Sequence, residues 1–342
     1  MAALQNLELV FQVRTVQKEN GKKYGANYLK LVPLFNYNRS KWRLIMSYLM
    51  AHFIGEQKLG EQIYFAVSQD GLIWEDLKES PILISEIGEK GVRDPFLIKD
   101  PNTEKYYLIA TDLRIEAEHG WHSAQFSGSK NIIIWESSDL LTWSEPRSVK
   151  VGTDIAGCVW APESIYDYDR QEFFVFWASM VSLPNDVKPK QRMYGAYTKD
   201  FVNFSESFIY AQANHHLIDM NIVYENGWYY RFVKDETTKL VKMDKIKNLQ
   251  DKNAIDIEVA ALDGHLVEGP QAYQLPNKNW CLIVDRFAQD LGYLPLICSD
   301  LDKADFKVVP DNEFDFGKLK KRHGSVLEIT NYQFESLIKY HK

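Results

Sequence analysis

Ser68-Gln69-Asp70-Gly71-Leu72-Ile73-Trp74 is the first member of a repeating set. A hydroxyl residue, an Asp two places on and an aromatic ring four further return as Ser137-x-Asp139-x-x-x-Trp143 and Thr198-x-Asp200-x-x-x-Phe204, with a stretched relative in Ser299-Asp300 and Phe306. The short polar residue and the Asp close a turn, and the ring is left to pack between neighbouring sheets. The motif therefore counts structural units and carries no chemistry of its own.

Between these turns lie runs rich in β-branched and aromatic residues: RLIMSYLMAHF, KYYLIATD, NIIIWESS, EFFVFWAS, RMYGAYT, GWYYRFVKD, TKLVKMD, NWCLIVDRF and YLPLICSD. Asn-Gly and Pro-Asn turn signals separate them and long amphipathic helices are hard to find, so the class reads as all-β. A second repeat sets the architecture. Arg93-Asp94-Pro95, Trp160-Ala161-Pro162-Glu163, Ile218-Asp219-Met220, Glu268-Gly269-Pro270 and Arg322-His323-Gly324 each put a carboxylate or His just ahead of an apolar strand. Their carboxylates and His are 69, 56, 49 and 55 residues apart, which suits one four-stranded blade per interval. Five openings predict a five-bladed β-propeller over residues 1–342 as a single domain. Residues near 28 to 78 contain strands but no opening motif, so the strand RHGSVLEIT is expected to complete the N-terminal blade and close the ring, removing exposed edges.

Composition narrows the function. Of 342 residues, 45% are hydrophobic and 25% charged, and no apolar run approaches the roughly 18 residues of a membrane span. The opening MAALQNLELVFQVRTVQKEN lacks the basic and apolar regions of a secretion signal, which implies a cytoplasmic location. Cys158, Cys281 and Cys298 are odd in number and set in apolar runs, as buried free thiols are. A net charge of −7 argues against nucleic acid, and the basic run Lys318, Lys320, Lys321 and Arg322 reads as a solvated turn. Aromatic residues make up 13% of the chain, and sugar sites use such rings, whose apolar faces stack on pyranose and furanose C–H surfaces.

In a propeller the innermost strands line the central channel, so Asp94, Asp219 and Glu268 should converge at one mouth. Clustered carboxylates push their pKa values apart, which lets one act as acid and another as base, the division that glycoside hydrolysis requires. The order of RDP, WAPE, IDM, EGP and RHGS resembles family 43 glycoside hydrolases, a group of arabinofuranosidases, arabinanases and xylosidases, over roughly residues 90 to 330. The resemblance implies Asp94 as general base, Asp219 as the carboxylate that tunes pKa and orientation, and Glu268 as general acid. It further implies inversion, with base and acid roughly 6.5–9.5 Å apart. No cofactor is implied for the chemistry, but an ion, commonly calcium, is implied beside His323. One imidazole is a poor calcium ligand, so water oxygens would have to supply most of that shell. Trp121 and Trp160 are candidate sugar platforms, Glu163 a candidate substrate contact, and Arg286 a candidate partner of a catalytic carboxylate or sugar hydroxyl. The sequence departs from the family in Glu163, where an Asp is frequent, and in Ile218-Asp219-Met220, where Asp-Pro is common.

The expected activity is exo-acting release of terminal α-L-arabinofuranose from short oligosaccharides. A β-xylosidase or galactofuranosidase is the nearest alternative. A phosphorylase would need a cationic phosphate site beside the acid, and a non-catalytic sugar-binding propeller would keep its carboxylates only as relics.

Overall fold

The computed structural model describes residues 46–117 and 120–342. The expectations for residues 1–45, including that part of the single-domain reading, lie outside the described residues. Four strands make each blade. Blade 1 holds β1 (Met46–Phe53), β2 (Tyr64–Ser68) and β3 (Trp74–Asp76), and blade 2 holds β4 (Val92–Lys99), β5 (Tyr106–Asp112), β6 (Asn131–Ser137) and β7 (Arg147–Lys150). Blade 3 is β8 (Trp160–Asp167), β9 (Glu172–Val181), β10 (Lys190–Thr198) and β11 (Phe208–Ala211). Blade 4 is β12 (Leu217–Glu225), β13 (Trp228–Asp235), β14 (Leu240–Ile246) and β15 (Ile255–Ile257). Blade 5 is β16 (Glu268–Gln274), β17 (Trp280–Asp285), β18 (Tyr293–Cys298) and β19 (Lys307–Val308). The innermost position of blade 1 is filled by β20 (Arg322–Thr330), which pairs with β1 from Met46 opposite Thr330 to Phe53 opposite Arg322. The five-bladed, all-β architecture and its closure by the C-terminal strand are thus as the repeats predict.

Apolar side chains of the strands fill the gaps between blades. Phe65 and Leu49 meet Leu108 and Trp135 between blades 1 and 2, while Tyr48 and Met50 meet Cys281 and Ile283 between blades 5 and 1. The second of these cores exists only because β20 returns the chain to its start. The turn motif works as its residues suggest. Ser68 Oγ accepts from Gly71 N at 2.9 Å and Asp70 Oδ1 accepts from Leu72 N and Ile73 N at 2.8 Å, with the same pattern at Ser137/Asp139 and Thr198/Asp200. Trp74 then meets Tyr273 of blade 5 edge-on, and Trp143 tilts against Phe65 of blade 1.

Two features depart from the sequence reading. Lys321 and Arg322 are not a solvated turn: the Lys321 ammonium is buried on Asp76 and Arg322 Nε is 2.6 Å from Asp285. The chain also ends in a helix, α2 (Asn331–His341), whose Thr330 and Gln333 form a capping box and whose Phe334 and Leu337 pack on the core between blades 1 and 2. Thr-x-x-Gln ahead of an apolar run is the signal for it. A shorter helix, α1 (Gly120–Phe126), lies in the β5–β6 loop. All three cysteines are free and buried.

Candidate active site

Every inner strand slips register close to its start. On β4 the shift falls between Arg93 and Phe96, on β8 between Trp160 and Glu163, on β12 between Ile218 and Asn221, and on β16 between Glu268 and Gln271. Within these bulges Asp94, Ala161, Asp219 and Gly269 take φ of 50°, 47°, 50° and 53°. A bulge bends the strand and re-aims a side chain, and Asp tolerates the left-handed region better than most residues. The register corrects the motif alignment. Asp94 and Asp219 are equivalent, Glu268 stands one residue ahead of that position, and Glu163 stands two residues after it.

Asp94, Asp219, Glu268 and His323 come together around one cavity of about 420 Å³ at the channel mouth, walled in part by Trp121, Trp160 and Phe287. Trp121 on α1 is 51% exposed and meets Trp160 edge-on, with ring centroids 6.0 Å apart. Asp94 Oδ2 accepts from Thr111 Oγ1 at 2.7 Å, and that hydroxyl accepts from Ala161 N at 2.8 Å, so β5 and blade 3 fix the carboxylate. Asp219 Oδ2 accepts from Gly269 N at 3.2 Å, which ties it to the peptide next to Glu268. A larger groove of about 860 Å³ runs between β11 and β14–β15, but its Arg231 and Asp244 satisfy each other and no inner-strand carboxylate faces it.

His323 is the hub. Its Nδ1 lies 3.4 Å from Asp94 and 3.8 Å from Asp219, and its Nε2 lies 3.9 Å from Glu163. Burial alone would lower its pKa, but Asp219, Glu163 and Asp94 outweigh it and push it up to about 10. Burial raises Glu163 to about 7 and Asp219 to about 6 against the pull of the same imidazolium. Both ring nitrogens of His323 face carboxylates, so the ring would have to give up a proton and one of these pairings before it could ligate an ion. Among the described residues no group of three or more His, Cys, Asp or Glu is placed to hold a metal.

Glu268 is clamped. Lys234 Nζ approaches it at 2.8 Å and Arg322 at 3.0 Å, and Arg322 is itself anchored on Asp285. Burial would raise the Glu268 pKa, but Lys234, Arg322 and His323 outweigh it and hold the carboxyl below its ordinary value.

Two expected substrate contacts are not at the cavity. Glu163 is 3% exposed and accepts from Asn221 Nδ2 at 2.7 Å, at the far nitrogen of His323. Arg286 spends its guanidinium on the carbonyls of Leu291, Gly292 and Tyr293, bracing the β17–β18 loop. Sequence reasoning missed Lys234, Arg93 and the pairing role of Arg322. The available signal for Lys234 was a cation inside an apolar strand, as Arg231 and Lys234 are in GWYYRFVKD, since such a charge is seldom buried unless paired. Arg93 pairs with Glu56 at 2.6 Å and Glu61 at 2.9 Å under the ring of Trp121, and Glu61 also accepts from Ile115 N and Glu116 N.

Inner strands that gather two aspartates and a glutamate around an aromatic-walled mouth define the class of five-bladed propellers that includes glycoside hydrolases. Residues 44–335 match the family 43-related model described as "Probable glycosyl hydrolase domain", and the chain belongs to that family. An alignment over 172 positions, covering 45% of this chain, shows 33% identity to an α-L-arabinofuranosidase of Bifidobacterium longum subsp. longum and spans 16% of that protein's length. The fold is similar to a "putative exo-β-1,3-galactanase" from Bifidobacterium bifidum s17, with a TM-score of 0.55 at 13% identity over 79% of this chain and 89% of that one. It is also similar to an exo-β-1,3-galactanase from Phanerochaete chrysosporium crystallised with galactose, with a TM-score of 0.53 at 14% identity over 74% of this chain and 57% of that one. At such identities the likeness is one of fold. Among the described residues no helix is long and apolar enough to cross a membrane.

Proposed function

We propose that this domain hydrolyses the terminal α-L-arabinofuranosidic bond of an oligosaccharide with inversion, so that the sugar leaves first as β-L-arabinofuranose. The observation that carries the reading is the convergence of Asp94, Asp219 and Glu268, from three blades, on one cavity with an indole wall. A volume of about 420 Å³ suits a terminal sugar better than a polymer threaded through the site. The arabinose specificity is supported by the Bifidobacterium longum relative.

In this reading Asp94, held by Thr111 and facing His323, takes the proton from the attacking water. Glu268 protonates the leaving oxygen. Asp219 holds the Glu268–Gly269 backbone in place and shares the charge of His323. His323 itself is a buried cation that keeps three carboxylates compatible at close quarters. Nitrophenyl glycosides of arabinofuranose, xylose, galactofuranose and galactose test the specificity, and proton NMR of the first-formed sugar tests the stereochemistry. Fastest release from α-L-arabinofuranoside with inverted product is expected. Initial retention, or preference for another sugar, would overturn the corresponding half of the reading.

A further inference from the structure

Resting on the assignment of Glu268 as acid, a second question follows from its neighbours: a general acid must carry a proton, yet two cations hold this one as an anion. One of them has to let go. Arg322 is poorly placed to do so, because it lies between Asp285 at 2.6 Å, Glu268 at 3.0 Å and Glu56 at 3.7 Å, and moving it would strand the buried Asp285. Lys234 has an alternative already in reach. Its Nζ stands 2.8 Å from Glu268 and 2.7 Å from Glu236, a partly buried carboxylate just beyond the end of β13 that also holds Lys239. Its ammonium also lies over the Phe287 ring, 4.3 Å from the centroid, so the charge can pivot between the two carboxylates without losing that contact.

We propose that Lys234 is a positioning residue that gates Glu268: it pins the carboxylate in the empty cavity and passes to Glu236 when a sugar enters, so that Glu268 takes a proton from solvent and can then donate it. Lys234, Glu236, Phe287, Arg322 and Glu268 all line the same cavity, so a sugar seated there meets this group directly. The charged groups around Glu268 are Lys234 on β13, Glu236 beyond it, Asp285 on β17, Arg322 and His323 on β20, and Asp219 on β12. Of these cations, Lys234 holds two cavity-lining carboxylates at nearly the same distance, whereas Arg322 is tied to the buried Asp285. Proton uptake only after binding keeps the acid from being armed against water in an empty site.

The test uses two variants with opposite expectations. Lys234→Met removes the pin, so the alkaline limb of kcat/KM should move up by about one pH unit or more, whereas Lys234→Arg should keep it near the parent value. Glu236→Gln removes the alternative partner, so the limb should move down and kcat should fall by about tenfold or more while KM changes little. Glu236 lies in a turn, and its variant keeps the test open should Lys234→Met fold poorly. A readout independent of catalysis is the 13C carboxyl titration of glutamate-labelled protein without sugar, with Glu268 assigned by its loss in Glu268→Gln. The Glu268 resonance should titrate higher in Lys234→Met and lower in Glu236→Gln. Unmoved titrations in both variants would overturn the gate whatever the protein hydrolyses, while shifted titrations in a protein that cleaves no glycoside would overturn the hydrolase reading and leave the gate standing.

Discussion

Gly269 and His323 approach so closely that a Cβ on Gly269 would lie 2.6 Å from His323 Cγ. The glycine is needed twice over, since its φ of 53° also lies in the region that L side chains avoid. Gly269→Ala should therefore cost about 2–5 kcal/mol, from a left-handed penalty of about 1–2 and an overpacking cost of about 1–3. Urea unfolding measures it, and a variant as stable as the parent would show that His323 can move aside.

Stability should fall as pH rises above 6.5. His323 has a folded pKa of about 10 against 6.5 unfolded, so the folded state binds the extra proton; its contribution is complete below pH 6.5 and is lost as pH climbs to about 10. Glu163, at about 7 against 4.5, and Asp219, at about 6 against 3.8, have the same sign and act between roughly pH 4 and 7. Below pH 6.5 they are opposed by His52, His216 and His341, whose pKa values burial lowers, so the melting temperature should decline between pH 6.5 and 10, and His323→Gln should lose that decline. A parent whose melting point rises over that range would rule out the imidazolium hub.

Acid and base can be separated by leaving group. Glu268→Gln should lose about 10²–10⁴-fold on natural oligosaccharides and far less on activated aryl glycosides, whose departure needs little proton assistance. Asp94→Asn should lose similarly on both, because each still requires an activated water. Equal losses for Glu268→Gln on the two substrate types would remove it as the acid, and near-normal turnover of Asp94→Asn would remove Asp94 from the mechanism.

Truncation after Lys321 removes β20 and α2, and with them the strand against which β1 forms seven paired positions and the cover of the blade 1–2 core. The shortened chain should lack a cooperative melt, as followed by calorimetry. A melt near the parent temperature would refute the closure.

What the sequence could reveal was whatever depends on local pattern. The Ser-x-Asp turns and the spacing of the five openings carried the blade count, because each unit repeats the same local hydrogen bonds. Asp94, Asp219, Glu268, Trp121, Trp160 and His323 could be picked out because they recur at strand starts or resemble a family's motifs, and the fold brings all six to one cavity. Arg286 looked equally suitable by position alone, yet the three carbonyls of its own loop capture it first.

The sequence by itself determined the class, the number of blades and which strand closes the ring, since these follow from periodic burial and from turns made within a few residues. Tertiary structure alone decided the charge arrangement. Whether Glu268 rests as anion or acid depends on Lys234 thirty-four residues before it and Arg322 fifty-four after, and whether His323 is a ligand or a cation depends on carboxylates from three other blades. Coulomb energies follow distances in space and the local exclusion of water, and neither quantity is written in the spacing of residues along the chain.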